Sequence, residues 1–242
     1  MVEKKSLTIC IPLFNEEEVV EELEKNLTLL YENLKNFYLV HFLLVNDGSS
    51  DSTLSKLNIF FKEKENFFIL NHEVNKNLGG FLKTSINYSS TDYIAFLDSD
   101  STFDPQLIKP MLEIAIERKI DIVNASHLHP SGSTLGVPYW RKFISIVANT
   151  VYRLILNVKI YTFTSILKIY KLEKIKDIDI QYNGFVAVTE LFVKGILKNL
   201  TYLEYPCTLT TRIKGSSKIK FRRTIITHIK FMWNLVQKNS NF

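Results

Sequence analysis

The chain has 242 residues, 46% hydrophobic and 23% charged, which is typical of one globular domain with or without a C-terminal extension. Its formal net charge of +5 and pI near 9.0 indicate an anionic partner, such as a phosphate substrate, a lipid surface or nucleic acid. No apolar run reaches the roughly 18 residues of a membrane span, and the distant Cys10 and Cys207 argue against a disulfide framework.

The first half of the chain alternates strand-like runs with segments of helical periodicity. The predicted strands are 7–14, 40–47, 67–73 and 92–100, and the predicted helices are 16–36, 51–64 and 78–89. This alternation predicts an α/β fold, with a mostly parallel sheet sandwiched by helices. The first residues lack the basic, apolar and small-residue order of a signal peptide, so we expect a cytoplasmic protein.

Polar clusters follow each of these strands at its carboxyl end. They are Pro12, Asn15 and Glu16; Asp47 to Asp51; Asn75 to Gly80; and Asp98 to Asp100. A turn or a helix start explains each cluster taken alone. Because ligands bind at the carboxyl ends of parallel strands, the four clusters together predict a binding site at that edge of the sheet.

The stretch "FLDSDSTFDP" places Asp98 and Asp100 two residues apart, so their side chains point to the same face of an extended chain. Two adjacent carboxylates destabilise each other unless a cation lies between them. Helix capping is the alternative explanation, but Asp104 before Pro105 already supplies that cap. The pair therefore predicts a cation site.

The second half has a less regular pattern. It predicts strands at 121–130 and 201–210, helices at 137–158 and 184–199, and an edge segment at 161–171. His127 and His129 lie two apart on the first of these strands, and we interpret them as structural or acceptor-loop residues rather than metal ligands. We interpret both cysteines as reduced core residues.

Residues 219–242 predict a basic amphipathic C-terminal helix following a domain of residues 1–218. Its apolar side comprises Phe221, Ile225, Ile229, Met232, Trp233 and Val236, and its basic side comprises Lys220, Arg222, Arg223, His228 and Lys230. Such a helix binds an anionic membrane surface; the alternatives are packing on its own domain and dimerisation. Bulky aliphatic residues between the basic ones argue against nucleic acid.

In order along the chain, "CIPLFNEEE", "VNDGSSDST", "NKNLGGFLKTSI" and "FLDSDSTFDP" resemble the motifs of family-2 glycosyltransferases of GT-A fold. The later segments "GFVAVTELFVKG", "YLEYP" and "TRIKGSSK" are similar to the dolichyl-phosphate mannosyltransferase and polyprenyl-phosphate glycosyltransferase branch. This resemblance implies an inverting enzyme that moves a sugar from a GDP- or UDP-sugar to a polyprenyl or dolichyl phosphate.

The same resemblance implies roles for individual residues. The donor site comprises Pro12, Phe14, Glu16, Asp47, Lys76, Gly79, Asp98, Ser99 and Asp100. Asp98 and Asp100 form a DXD pair for Mg²⁺ or Mn²⁺, hard cations that suit carboxylate and diphosphate oxygens. The catalytic residues are Asp100, Glu190 and Arg212, and the acceptor phosphate binds to Arg141, Ser145, Arg212 and Lys218.

Two other functions remain open at this point. A transferase acting on a sugar hydroxyl in surface-polysaccharide or glycoprotein glycan assembly needs a carboxylate base, for which Glu190 is the candidate. A non-catalytic, nucleotide-sugar-binding partner of a membrane protein is suggested by departures from the family pattern: Thr102 replaces a glutamine, and Ile166 and Lys168 replace a glycine and an arginine. Asn77 also replaces a glycine, although Asn tolerates positive φ. The sequence lacks C-terminal membrane helices, so we expect peripheral binding at the cytosolic membrane face, through the tail or a membrane partner protein.

Overall fold

The computed structural model describes residues 4–212 and 221–239. Its strands are β1 Ser6–Leu13, β2 Leu39–Asp47, β3 Phe67–His72, β4 Tyr93–Phe96, β5 Ile122–Ser126, β6 Ser133–Thr134, β7 Lys168–Lys171, β8 Tyr202–Pro206 and β9 Thr208–Leu209. Its helices are α1 Val20–Leu34, α2 Thr53–Phe61, α3 Asn77–Tyr88, α4 Ile108–Glu117, α5 Tyr139–Leu156, α6 Leu172–Ile175, α7 Val186–Leu197 and α8 Phe221–Asn239. The predicted helices and strands are confirmed in type and order, except that the fourth strand ends at Phe96 and not at Asp100, and that the segment 161–171 does not lie at an edge.

The main sheet has seven strands, in the order β3-β2-β1-β4-β7-β5-β8. All its neighbouring strands are parallel except β7, which runs antiparallel to both β4 and β5. Since β7 reverses direction between them, β5 points the same way as β4. The carboxyl ends of β1, β2, β4 and β5 therefore meet at one edge, as expected for the predicted α/β fold.

Alternating side chains of β1 divide the core into two layers. Leu7, Ile9 and Ile11 pack against α1 and α4 on one face, whereas Cys10 belongs to the layer under α3 and α7 on the other. Both cysteines are buried free thiols, which confirms their predicted place in the core. Burial raises the pKa of the Cys10 thiol to about 12, so it stays protonated at neutral pH.

The prediction that residues 161–171 form an edge segment is wrong. Strand β7 lies inside the sheet, where Lys168 pairs with Phe96 of β4 on one side and with Asn124 of β5 on the other. The Lys168 side chain is instead fully buried, with its ammonium donating to the carbonyl oxygens of Phe163 and Ser165.

Helix α8 confirms the predicted C-terminal helix, and it packs on its own domain through only part of its surface. His228, Phe231 and Leu235 pack on the domain, whereas Trp233 and Ile229 of the predicted apolar side are 64% and 59% exposed. The assignment of His228 to the solvated basic face is wrong, because its Nδ1 lies 2.7 Å from the buried Tyr152 hydroxyl. None of the helices within residues 4–212 and 221–239 is both long and apolar enough to cross a bilayer.

The buried His228 makes the stability of the fold pH-dependent. Burial lowers the pKa of His228 to about 4, so between the ordinary value of 6.5 and about 4 the unfolded chain binds a proton that the folded chain does not. Stability is therefore lost as the pH falls. From pH 7 to pH 5, the wild type is expected to lose about 2 kcal/mol more unfolding free energy than His228→Gln in urea denaturation. Equal losses in both proteins would contradict this account.

Candidate active site

Hydrogen bonds join the loops after β1 and β2 at the carboxyl edge of the sheet. The backbone N–H of Asn15 donates to Ser49 Oγ at 2.9 Å, and the backbone N–H of Glu16 donates to Thr53 Oγ1 at 2.8 Å. Pro12 and Phe14 lie half-buried beside these contacts, at the end of β1. The first two polar clusters thus form one surface, as predicted from the direction of their strands.

Asp47, the last residue of β2, connects the second cluster to the third. Its Oδ1 lies 2.7 Å from His72 Nδ1 and accepts a hydrogen bond from the backbone N–H of Lys76 at 2.9 Å. The other ring nitrogen of His72 lies 2.9 Å from Thr84 Oγ1 of α3. Sequence reasoning missed His72, although its place at the end of the third predicted strand was a usable signal.

The start of α3 packs against the chain that precedes α7. The backbone N–H of Gly79 donates to the Asn183 carbonyl at 2.8 Å, and a Cβ at Gly79 would lie only 2.2 Å from the carbonyl oxygen of Tyr182. Gly79 is therefore required for this close approach.

Asn77 has φ of 56°, a conformation that Asn tolerates, so its replacement of a glycine is accommodated.

Replacing Gly79 with Ala is expected to lower the free energy of unfolding by about 2 kcal/mol, because backbone atoms must shift to admit the methyl group. Urea denaturation measures this loss. Gly184→Ala is the matched control, since a Cβ there meets nothing within 4 Å; its effect should stay within about 0.5 kcal/mol. Equal effects of the two substitutions would contradict the packing argument.

Asp98 and Asp100 follow β4 in a tight turn. The Thr102 backbone N–H donates to Asp100 Oδ1 at 3.1 Å, and its hydroxyl donates to Asp98 Oδ2 at 3.5 Å. Thr102, which stands in the place of a glutamine, thus contacts both carboxylates. Burial, and then the charge of Asp100, raises the pKa of Asp98 to about 8. The pair therefore favours a nearby cation.

Arg212 supplies positive charge at this pair. Its Nε donates to Asp100 Oδ2 at 2.8 Å, while Nη2 and Nη1 donate to the two oxygens of Glu16 at 2.8 and 3.2 Å. The backbone N–H of Thr210 donates to the Thr102 carbonyl at 2.9 Å, which fixes the approach of this segment. Arg212 thus contacts Glu16, which lies 196 positions earlier in the sequence, and brings it next to Asp100.

The carboxylate pair fits a hard divalent cation that takes its other ligands from substrate phosphates and water. Among the described residues, no three His, Cys, Asp or Glu side chains are grouped so as to hold a metal ion by themselves. Mg²⁺ commonly keeps one or two protein carboxylates and takes its remaining ligands from substrate phosphates and water. Asp98 and Asp100 have that arrangement, and the buried Ser99 lies between them.

Glu190 lies on α7 and is fully buried. Its carboxylate accepts hydrogen bonds from the backbone N–H groups of Gln181 and Tyr182 at 3.0 and 2.9 Å, and from Lys194 Nζ at 2.6 Å. These contacts fix the chain segment that packs on Gly79. The geometry favours a positioning role for Glu190, and its part in catalysis stays a prediction.

The candidate acceptor residues lie mainly on α5. Arg141, in the first turn, is exposed and stacks over the Trp140 ring at 5.2 Å. Ser145 lies one turn further, on the same side of the helix, and its carbonyl accepts from Asn149 Nδ2 at 2.7 Å. Lys218 lies outside the described residues, as does the predicted division at residue 218. The roles of Arg141, Ser145 and Lys218 stay predictions.

This chain is similar to several known proteins. The chain is 27% identical over 237 residues to dolichol-phosphate mannosyltransferase of Pyrococcus furiosus, covering 96% of this chain and 64% of that enzyme. It is 25% identical over 219 residues to polyprenol monophosphomannose synthase of Mycolicibacterium smegmatis, covering 87% of this chain and 80% of that protein. The chain thus spans less than two thirds of the length of the Pyrococcus enzyme.

A similar fold occurs in glucosyl-3-phosphoglycerate synthase from Mycobacterium tuberculosis, solved with Mn²⁺, UDP and glucosyl-3-phosphoglycerate. The TM-score is 0.69 at 15% identity, over 94% of this chain and 80% of that one. A second structure of that enzyme, with Mg²⁺ and UDP, gives a TM-score of 0.68 at 14% identity, over 94% of this chain and 79% of that one. At these identities the likeness shows the GT-A fold alone. The model of glycosyl transferase family 2 matches residues 8–179, and this chain therefore belongs to that family of glycosyltransferases.

Proposed function

We propose that this glycosyltransferase moves a sugar, with inversion and with a divalent metal, from a UDP- or GDP-sugar to a polyprenyl or dolichyl phosphate at the cytosolic membrane face. The observation that carries the proposal is the arrangement of Asp98, Asp100 and Arg212 at the carboxyl edge of the sheet. The two relatives named for dolichol-phosphate and polyprenol phosphomannose synthesis support the choice of acceptor.

The donor half of the proposed site is built around carboxylates. Asp98 and Asp100 would hold Mg²⁺ or Mn²⁺, and the metal would supply positive charge where the nucleoside diphosphate leaves. Asp47 contacts the base from a position fixed by His72 and the Lys76 backbone. The nucleotide pocket is completed by Pro12, Phe14, Glu16, Lys76, Gly79 and Ser99.

Arg212 connects the donor and acceptor halves. Its guanidinium lies between Glu16 and Asp100, and a planar fork of N–H groups also suits phosphate oxygens. In the proposed reaction Arg212 orients the phosphates that meet at this edge. Arg141, Ser145 and Lys218 hold the acceptor phosphate.

A phosphate acceptor agrees better with the surroundings of Glu190 than a hydroxyl acceptor does. A phosphomonoester has a second pKa near 6 and is already largely ionised at neutral pH, so it needs cations rather than a base. A hydroxyl acceptor needs a carboxylate that reaches it. Glu190 is fully buried and engaged by Lys194 and two backbone N–H groups, which supports the phosphate.

Exposed apolar side chains on two helices, α5 and α8, support membrane binding. Helix α5 exposes Tyr139 and Phe143, and α8 exposes Trp233, all large apolar side chains. The exposed Arg222 and Arg223 add positive charge at the start of α8. This combination suits an anionic lipid surface. A membrane partner protein stays a prediction.

Release of nucleoside diphosphate tests the proposal. The purified protein is incubated with Mn²⁺ or Mg²⁺ and a panel of UDP- and GDP-sugars, with and without a short polyprenyl phosphate. Release that requires the lipid phosphate and the metal is expected. Metal-dependent release that instead requires a glycan would favour the hydroxyl acceptor, and donor binding without any turnover would favour the non-catalytic alternative.

Arg141→Gln is expected to raise the KM for the polyprenyl phosphate by about tenfold with less effect on kcat, because a charge-assisted bond to the acceptor is lost. The same release assay, run over a range of acceptor concentrations, measures both constants. Arg118→Gln, an equal change in charge at an exposed position after α4, is the control. Equal KM values for the two variants would show that Arg141 does not bind the acceptor.

A further inference from the structure

The chain that leads from α5 into β7, residues 161–167, lies at the carboxyl edge of the sheet, and we call it the bridging segment. Since β7 runs antiparallel to β4 and Lys168 pairs with Phe96, the residues before Lys168 extend past the end of β4, where Asp98 follows. On the other side, the backbone N–H of Ala125 in β5 donates to the last carbonyl of the segment at 3.0 Å. The bridging segment therefore lies between the turn with the carboxylate pair and the chain that follows β5.

Side chains from the surrounding elements hold the first half of this segment. Glu204 of β8 accepts hydrogen bonds from the backbone N–H groups of Tyr161 and Thr162 at 2.8 and 2.9 Å. Asn149 of α5 accepts from the backbone N–H of Phe163 at 2.6 Å. A backbone whose polar groups are satisfied by a buried network of this kind is held in one conformation.

Lys168 holds the second half of the segment. Its ammonium donates to the carbonyl oxygens of Phe163 and Ser165, and it lies 5.1 Å from the centre of the Phe192 ring of α7. The side chain is fully buried, and burial lowers the pKa of Lys168 to about 7, an effect that the charge of Glu204 opposes. Burying an amine in a core costs stability, so its place here requires a reason other than packing.

The position of the bridging segment separates two effects on the reaction. The residues assigned above to the nucleotide and the metal belong to the loops that follow β1 to β4, and none of them belongs to this segment. The candidate acceptor residues lie mainly on α5, which leads into it. A displaced segment would therefore disturb the transfer between donor and acceptor, and it would leave the binding of nucleotide and metal largely intact.

We propose that Lys168 and Glu204 are positioning residues for sugar transfer, which hold the bridging segment from its two ends beside the turn of Asp98 and Asp100. Both act through the backbone of the segment and not by contact with the reacting atoms. The proposal deepens the proposed function and rests on it, because a fixed segment at this place serves a reaction in which donor and acceptor meet there.

Lys168→Met tests the proposal on the full chain, because Met has a similar length and volume but no ammonium. The kcat for polyprenyl-phosphate-dependent release of nucleoside diphosphate is expected to fall by at least about thirtyfold. The Kd for UDP or GDP with Mn²⁺, measured by calorimetric titration, should stay within about threefold of the wild-type value. Lys168→Arg keeps the charge and the donors, and it should recover at least about a third of the wild-type kcat.

Glu204→Gln tests the other end of the segment. It keeps the shape of the side chain and one acceptor oxygen, and it is expected to lower kcat by about tenfold with the same small change in Kd. Lys64→Met is the matched control. Lys64 precedes β3 at the opposite edge of the sheet, where its ammonium also lies over an aromatic ring, 5.4 Å from the centre of Phe67. This variant should retain the wild-type kcat.

A wild-type kcat in Lys168→Met or in Glu204→Gln would overturn the proposal. A loss of kcat that Lys168→Arg does not recover, or a Kd that rises as much as kcat falls, would also overturn it, because either result indicates a general disturbance of the site. Thermal unfolding checks the fold of each variant, and Glu204→Gln decides the question if Lys168→Met does not fold.

Hydrogen exchange of the bridging segment separates a failure of this proposal from a failure of the proposed function. Its amides should exchange faster in Lys168→Met and Glu204→Gln than in the wild type, and mass spectrometry measures this without any acceptor. A wild type that binds the donor but turns over with no acceptor would refute the proposed function, and with it a role in transfer. An active wild type with unchanged exchange in both variants would refute the positioning role alone.

Discussion

Asp100→Asn is expected to lower the rate of metal-dependent nucleoside diphosphate release by about a thousandfold. The amide keeps the size of the side chain but removes the charge that holds the divalent metal, and metal stabilisation of a leaving diphosphate contributes several kcal/mol. The backbone N–H of Thr102 still finds an oxygen acceptor in the amide, so the turn after β4 should persist. Initial rates at saturating donor, with Mn²⁺ varied, measure the effect.

Asp104→Asn is the matched control for this change. Asp104 lies four residues further along, is exposed, and caps the next turn by accepting from the Gln106 backbone N–H at 2.9 Å. Asn is also a good cap, so this variant should retain most of the activity. A fall in rate shared by both variants, or an Asp100→Asn enzyme that responds to Mn²⁺ as the wild type does, would disprove the role of Asp100.

Arg212→Gln is expected to change metal affinity and turnover in opposite directions. Without the guanidinium, Asp100 and Glu16 lose their neutralising partner, so Mn²⁺ should bind the donor-free protein about tenfold more tightly. Nucleoside diphosphate release should nevertheless fall by about a hundredfold, because the phosphates lose a bidentate donor. Calorimetric titration of Mn²⁺ and steady-state kinetics measure the two effects.

Arg212→Lys is the control, because it keeps the charge and loses the planar fork. Its Mn²⁺ affinity should stay close to that of the wild type, and its rate should lie between those of the wild type and Arg212→Gln. If Arg212→Gln binds Mn²⁺ more weakly than the wild type does, the guanidinium does not compete with the metal for Asp100, and our interpretation of this contact is wrong.

Local sequence patterns were sufficient to predict the sheet and the place of its ligand edge. Alternating apolar residues define β1, and runs of apolar residues between polar clusters define β2 and β4. Parallel topology then brings the loops after these strands together, and hydrogen bonds such as that from Glu16 to Thr53 join them. The motif resemblance named the candidate residues, and contacts in the fold bring Glu16, Asp100 and Arg212 together.

Contacts between distant segments were not predictable in this way. The insertion of β7 between β4 and β5 depends on pairing with strands that are remote in sequence. The sequence "KIYK" alone does not show whether Lys168 is buried, so it does not distinguish an edge strand from an interior strand. The buried face of α8 is set by contacts of Phe231 with Tyr152 and Tyr182. The helical periodicity of α8 carries no information about where those two residues lie. The enclosure of Glu190 likewise depends on a chain segment that folds back over α7.

Mass spectrometry of the lipid product tests the central claim most directly. The purified protein, Mn²⁺, a UDP- or GDP-sugar selected by the release assay, and a short polyprenyl phosphate are incubated, and the lipid fraction is analysed beside reactions with EDTA and with Asp100→Asn. The account predicts a lipid phosphate heavier by one sugar residue, formed only with metal and with Asp100 present. An unmodified lipid despite donor binding, or a product that forms equally with EDTA, would contradict it.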